Sequence, residues 1–394
     1  MVPTAELLPV AEREARRLGT SRLTDLEGLD ILGVPCWQAT RPSAVAAPGN
    51  ITVLTGKAWD RDEARLGAVM ESIERHWAEQ APLSLVMARP SRLAERGVPH
   101  IHPDDVPLPV GMALADDPVL AWAWGTTLSG AGGPEAAATL VPAHEVLCPF
   151  TPPPETGHPP VWRSAGLAAG ASMVEAVLFG LLEVVERDAV AVAEVARQSV
   201  SVDLDACPSP RLAALRVRLA DHGVALEVKR LEGIGGVPVF AACLDDRKRR
   251  DPMGLVAGYA AHPDELEALE GAVLEAVQTR LTVVAGARED LDGHGRLRRA
   301  GYQSARQALS WWLDPTEARC GVSAVRQDPP TDPSAALSGL LADLGTAGFD
   351  RVVTVALSPP GAAVAVARVV VPGASHICGS AVRLGRRLSG ARRS

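Results

Sequence analysis

The stretch from Ser164 to Ala189, SAGLAAGASMVEAVLFGLLEVVERDA, limits what this chain can fold into more than any other. From about Ala171 it holds no proline, one glycine (Gly180) and apolar residues at almost every angle, which predicts a helix buried on all sides. Val177, Leu178, Leu181, Val184 and Val185 cover one side, and Phe179 and Leu182 share the remaining stripe with Glu175 and Glu186. At about 100° per residue, Glu175, Glu183 and Glu186 fall within about 80° of one another. Carboxylates on a buried helix are costly unless arginine, lysine or a metal ion meets them. The stretch therefore predicts an acidic, cation-holding site inside the protein.

The same spacing occurs twice more. Glu63-Ala64 is followed by Glu71 and Glu74-Arg75, Glu175-Ala176 by Glu183 and Glu186-Arg187, and Glu267-Ala268 by Glu275 and Gln278, with Arg280 one place late. Three copies of E-A-x6-E-x-x-[E/Q] form a weak internal repeat. Chance likeness among Glu-Ala-rich surface helices is the alternative, but all three copies lie in apolar helical context and two end in the same E-R pair.

The central run, S-x-GLAAG-x-S-x-x-EA-x6-E-x-x-ERDA, resembles the signature of the YcaO family, ATP-dependent enzymes that activate peptide-bond amides. ARLGAVMESIERHWAE, Ala64 to Glu79, is similar to that family's earlier S-x3-E-x-x-E-R motif. EAVQTRLTVVAGARED, Glu275 to Asp290, is similar to its later E-x-x-Q-x-R segment, with Arg288, Glu289 and Asp290 like its GARDD-type ending. The three motifs keep the family's order, and the likeness runs from about Leu23 to Gly373. It implies an α/β fold of glutamate-bearing helices packed on β-sheets, with ATP and Mg2+ as cofactors. It implies that Lys57, Glu71, Glu74, Arg75, Glu175, Glu183, Glu186, Arg187, Glu275, Gln278 and Arg280 surround the nucleotide, with Glu71, Glu74, Glu175, Glu183 and Glu186 holding metal. No general base is evident.

Two departures bear on activity. The family's serine falls at Gly67, so a hydroxyl contact is missing, and the glycine instead allows closer approach of a ligand or a helix. Its GKG before the first helix reads Gly56-Lys57-Ala58, leaving Lys57 as a phosphate contact or a solvated turn lysine. Geometry also sets Arg280 about 200° around its helix from Gln278, so its place in the site rests on resemblance. The family's VPAE-x-V strand is matched at Ala143 to Phe150, and its leading strand within Leu23 to Ala39.

Clustered glutamates alone would repel a triphosphate, so metal must lie between them, with Arg75, Arg187 and Lys57 on the phosphate oxygens. The azoline-forming members end in a P-x-P-x-P tail that is missing here, whereas RVVVPG at 368–373 is similar to members that install thioamides beside a TfuA-type partner. Thioamide formation on a precursor peptide or protein therefore stands ahead of azoline or amidine formation. A catalytically silent scaffold that keeps the fold is the reading from another class, and Gly67 favours it.

Elsewhere the bland readings lead. His100, His102, Asp104 and Asp105 read as a polar loop with no third ligand set. Cys36 reads as a small core residue, and Trp311 and Trp312 as packing residues. Six scattered cysteines without a C-x-x-C pair fit reduced thiols, and the chain shows neither a signal-peptide core nor a membrane-length apolar run, so a cytoplasmic location is expected. A net charge of −8 argues against a nucleic-acid partner. The resemblance leaves a homodimer open. The expected division is an N-terminal helix and leading strand over 1–45, an ATP-binding catalytic domain over 46–376, with Thr151 to Pro160 as its best linker, and a solvated Arg-rich tail over 377–394.

Overall fold

The computed structural model describes residues 2–42, 51–128, 137–158, 162–287, 295–322, 332–378 and 381–389. Arg288, Glu289 and Asp290 lie outside them.

Each of the three motif helices follows a strand and starts on a side-chain cap. Strand Val53–Lys57 leads to helix Arg61–Gln80, where Asp60 accepts from the N–H groups of Asp62 and Glu63. Strand Leu167–Gly170 leads to helix Met173–Ala196, capped by Ser172. Strand Leu255–Ala261 leads to helix Glu265–Ala285, capped by Asp264. Such caps satisfy N–H groups that a helix leaves free. In the first and third units a glycine lets strand and helix touch backbone to backbone. A Cβ on Gly56 would come within 2.2 Å of Ala64 O and Ala68 N, and one on Gly258 within 2.1 Å of Ala276 N.

These three leading strands belong to three different sheets, and His376–Cys378 pairs with Ala381–Arg383 in a small fourth one. Arg22–Asp25, Cys36–Thr40 and Val53–Lys57 form an antiparallel meander. A six-stranded sheet runs Val86–Ala88, Leu120–Leu128, Val352–Ala356, Ala365–Val370, Leu167–Gly170, with Ala137–Pro142 also paired to Leu120–Leu128. A five-stranded sheet runs Leu255–Ala261, Pro238–Asp246, Val224–Glu232, Val200–Val202, Arg319–Cys320.

Alternation along the strands places the central helix between the two larger sheets. Ala367, Val369 and Val371 from one sheet and Val239, Ala241 and Cys243 from the other pack on Val177, Leu181, Val184 and Val185. The intervening residues face outward onto the other two helices. Val366 and Val370 meet Val69 and Ile73 of the first, while Phe240 and Ala242 meet Leu269, Val273 and Val277 of the third. Two sheets enclose most of this helix, which accounts for the apolar composition around Ser164 to Ala189, but burial on all sides fails at Phe179, which is 39% exposed.

Several expectations are corrected. The strand expected at Ala143 to Phe150 lies earlier, at Ala137–Pro142, and a 3-10 turn Ala143–Glu145 follows, burying His144 and Glu145. The proline-rich connector packs rather than links: Gly157 N–H donates to Val119 O and His158 Nε2 accepts from Ala121 N–H. The arginine-rich end is held, not solvated, over its described part. Arg383 pairs with Glu145 (2.9 Å), Arg386 donates to Gly348 O, and Arg387 pairs with Asp188 (2.7 Å). Trp311 and Trp312 stack edge to face, and Trp312 Nε1 donates to Glu194, so they do pack. Burial pushes the Cys36 thiol up to about 12, which suits a core residue rather than a nucleophile. Among the described residues no helix is long and apolar enough to cross a membrane.

Candidate nucleotide and metal site

The middle glutamate of each motif copy is oriented in the same way. Glu71 Oε2 accepts the N–H of Thr55 (3.0 Å), Glu183 Oε2 that of Gly166 (3.0 Å), and Glu275 Oε1 that of Tyr259 (3.5 Å). One oxygen of each carboxylate is thus tied to the segment preceding its own helix. The other faces a cation: Arg75 Nη2 at 4.0 Å from Glu71, Arg187 Nη2 at 3.5 Å from Glu183, and Lys57 Nζ at 3.0 Å from Glu275. The third copy has no arginine one turn on, and Lys57, from the strand before the first helix, takes that place.

These three groups converge. Glu74 is surrounded by Arg75, Glu71, Glu183 and Arg368, and burial drives its carboxyl well above the usual range, with Arg75 opposing. Burial likewise pushes Glu186 up to about 8, against the pull of Arg187 and with help from Glu275 and Glu183. Glu275 shows the reverse. Burial works to raise it, but Lys57 and then Arg187 outweigh that and hold it below the ordinary range. Gln278 ties the third helix to the first unit by donating to Thr55 O (2.7 Å) and Thr55 Oγ1 (2.6 Å).

Two expected residues have other partners. Glu175 reaches back to the N–H of Ala171 at the start of its own helix (2.9 Å). Arg280 points away, as the helical angle implied, into a buried pairing with Asp30 (2.8 Å) and Asp246 (3.0 Å). Gly67 has a packing correlate: a Cβ there would lie 3.3 Å from Gly56 Cα, so glycine lets the helix lie close to the strand that carries Lys57. His102 Nδ1 accepts from Asp104 N–H on an exposed turn, and His100 Nδ1 bonds Val98 O.

Residues that the motif spacing did not single out complete the surroundings. Arg163 and Arg383 pair with buried Glu145, and Arg368 is fully buried nearby. His376 sits among Arg163, Arg187, Arg383 and Arg368, and burial, followed by these cations, drives its ring far down, so it is neutral. Of these, Arg368 and Glu145 fell inside segments matched to the family, within 368–373 and Ala143 to Phe150.

The donor set suits a hard divalent cation. Glu186 Oε1 is buried with no hydrogen-bond donor, Arg187 Nε standing 3.3 Å away without bonding it, and Arg75 Nε is also buried and unpaired. An orphaned carboxylate oxygen among other carboxylates is what an oxygen-seeking ion completes. Among the described residues no group of three or more acidic, histidine or cysteine side chains is placed to hold a metal ion by itself.

Comparison with known proteins agrees. An uncharacterized protein of Methanothermobacter thermautotrophicus is 30% identical over 98% of both chains. An uncharacterized protein encoded in the tfuA 3′ region of Rhizobium leguminosarum bv. trifolii is 29% identical over 98% of this chain and 91% of its own. The solved YcaO from Methanopyrus kandleri, bound with AMPPCP and Mg2+, has the same fold, with a TM-score of 0.75 at 23% identity over 98% of this chain and 94% of that one. The family model for the YcaO cyclodehydratases, described as ATP- and Mg2+-binding, matches residues 55–375, and the chain belongs to the YcaO family.

Proposed function

We propose that this chain binds ATP and Mg2+ where its three glutamate-bearing helices meet, and phosphorylates a backbone amide oxygen of a peptide or protein, which then receives sulfur to become a thioamide. The observation that carries the reading is the convergence of Glu71, Glu74, Glu183 and Glu186 with Lys57, Arg75 and Arg187 around a buried Glu186 oxygen that accepts no hydrogen bond. When bound, Mg·ATP supplies the phosphoryl group that turns the amide oxygen into a leaving group.

The chain's own part is positioning and charge stabilisation. Glu71 and Glu183 are held by backbone N–H groups, so the oxygens that face Arg75 and Arg187 would have a fixed direction toward a bound metal. Glu74 and Glu186, raised by burial, would favour cation binding as pH rises. Arg75 and Arg187 lie one turn beyond Glu71 and Glu183 and would present guanidinium donors to phosphate oxygens. Lys57 is paired with Glu275 at 3.0 Å and lies near Glu186 and Glu71, so its charge faces the same space.

Sulfur as the incoming nucleophile is supported by the relative encoded beside tfuA and by the RVVVPG segment, and a TfuA-like protein is the partner this reading implies. The test is single-turnover ATP hydrolysis with a precursor peptide and the partner protein, with mass analysis of the product. Exchange of oxygen for sulfur is the expected result. Loss of water to a ring on Cys, Ser or Thr, or closure onto an amine, replaces thioamidation by azoline or amidine formation. Equal turnover by wild type and Glu186→Gln removes Glu186 from the chemistry.

A further inference from the structure

Arg368 is fully buried, yet among the described residues no carboxylate hydrogen-bonds it. Its guanidinium spends its donors on backbone carbonyls: Nε on Val146 O (3.1 Å), Nη1 on Ser164 O (2.7 Å) and Ala165 O (2.9 Å), and Nη2 on Arg163 O (2.9 Å). Three consecutive carbonyls turned toward one cation fix the path of the Arg163–Gly166 turn. The next residue, Gly166, then aims its N–H at Glu183 Oε2. The turn is closed from the other side as well, since Val369 N–H donates to Gly166 O at 2.7 Å. Gly166 has φ +82°, and a Cβ there would lie 2.1 Å from Val369 O. The turn has one permitted shape, and Arg368 and its neighbour Val369 impose it from a strand 200 residues away in sequence.

We propose that Arg368 is a positioning residue for the metal site: through the Arg163–Gly166 turn it sets the direction of Glu183, and its fixed charge lies beside Glu183 and Glu74. The inference rests on the reading of Glu183 as a metal-facing carboxylate. A lysine cannot replace the arginine, because an ammonium cannot hold four carbonyls in one plane. Partners that orient metal-binding side chains typically contribute about 10- to 100-fold to metal affinity. Glu183 feels two fixed neighbours, so Arg368→Lys raises the Mg2+ concentration needed for nucleotide binding by about 10-fold.

The experiment measures binding of a non-hydrolysable ATP analogue against Mg2+ concentration, and amide hydrogen exchange of the 163–167 segment without ligands. Wild type, Arg368→Lys and Gly180→Ala are compared. The last keeps Arg368 but puts a Cβ 2.8 Å from Gly166 O, displacing the turn from the helix side, and it preserves the test should the arginine variant fail to fold. Faster exchange confined to 163–167 with a raised Mg2+ midpoint and little change at saturating Mg2+ is the expected result for both. Loss of the midpoint shift in both variants, or unchanged exchange in that segment, overturns the role of Arg368 while leaving the nucleotide site intact. Wild-type protein that binds no nucleotide at any Mg2+ concentration overturns the functional reading itself, and the exchange result then decides the geometry alone.

Discussion

Glu186→Gln should make the ligand-free protein more stable while abolishing its response to Mg·ATP. In the free protein the Glu186 carboxyl is pushed from its ordinary 4.5 to about 8, first by burial and then by Glu275 and Glu183. The sign follows from proton linkage. Between these values the folded state holds a proton that the unfolded chain releases, so stability falls as pH rises from 4.5 toward 8. At pH 7 the two states differ over about 2.5 pH units, which costs the folded protein about 3 kcal/mol. Glutamine has nearly the same shape and no charge to desolvate, and Arg187 keeps Glu183 as its partner. Most of that cost is therefore recovered. Urea denaturation at pH 5, 7 and 8, with and without Mg2+ and a non-hydrolysable ATP analogue, is the assay. The variant's advantage should be small at pH 5, grow toward pH 8, and shrink by about 2.7 kcal/mol when ligand is present at about 100 times its Kd, because ligand stabilises wild type alone. A variant less stable than wild type at pH 8, or one that gains as much from ligand, refutes the reasoning.

Three further outcomes are expected. Arg387→Ala leaves Asp188, buried on the central helix, with Ser375 as its remaining partner among the described residues, and should lower stability by about 3 kcal/mol, as loss of one side of a buried pair does; a solvated tail would give no change in denaturant midpoint. His144 and His158, whose Nδ1 atoms lie 2.8 Å apart, are both lowered to about 4, chiefly by burial, so their contribution is complete above about 6.5 and lost as pH falls toward 4, and His158→Gln should flatten that part of the stability curve. Arg280→Met should lower stability without changing the Mg2+-dependent nucleotide affinity by more than about two-fold, since its partners are Asp30 and Asp246; calorimetric titration of the folded variant checks it.

What was legible in the sequence was mostly periodic. An apolar helix carrying Glu183 and Glu186 on one face implied enclosure with a cationic counterpart, and the structure encloses it between two sheets with Arg75, Arg187 and Lys57 at hand. Helical angle also set Arg280 apart from Gln278, and geometry prevailed over motif likeness there. Groups joined across long stretches of chain left no such trace. Arg368 meets Arg163, and Arg383 meets Glu145, because strands and turns far apart in sequence become neighbours only after the sheets assemble. The arginines near the C-terminus read as solvated because their partners, Asp188, Glu145 and Gly348 O, cannot be paired with them from local pattern. The displaced strand at Ala137–Pro142 has a similar cause. The run after it is apolar and alternating, but the turn is fixed by burial of the side chains of His144 and Glu145.

The most direct test is titration of a non-hydrolysable ATP analogue into wild type, Glu71→Gln and Glu183→Gln, each with and without Mg2+. Binding by wild type that requires Mg2+, and that either substitution weakens at least about 10-fold although the two glutamates come from different helices, is the result expected. Binding that ignores Mg2+, or that neither substitution alters, would contradict a nucleotide and metal site at this junction.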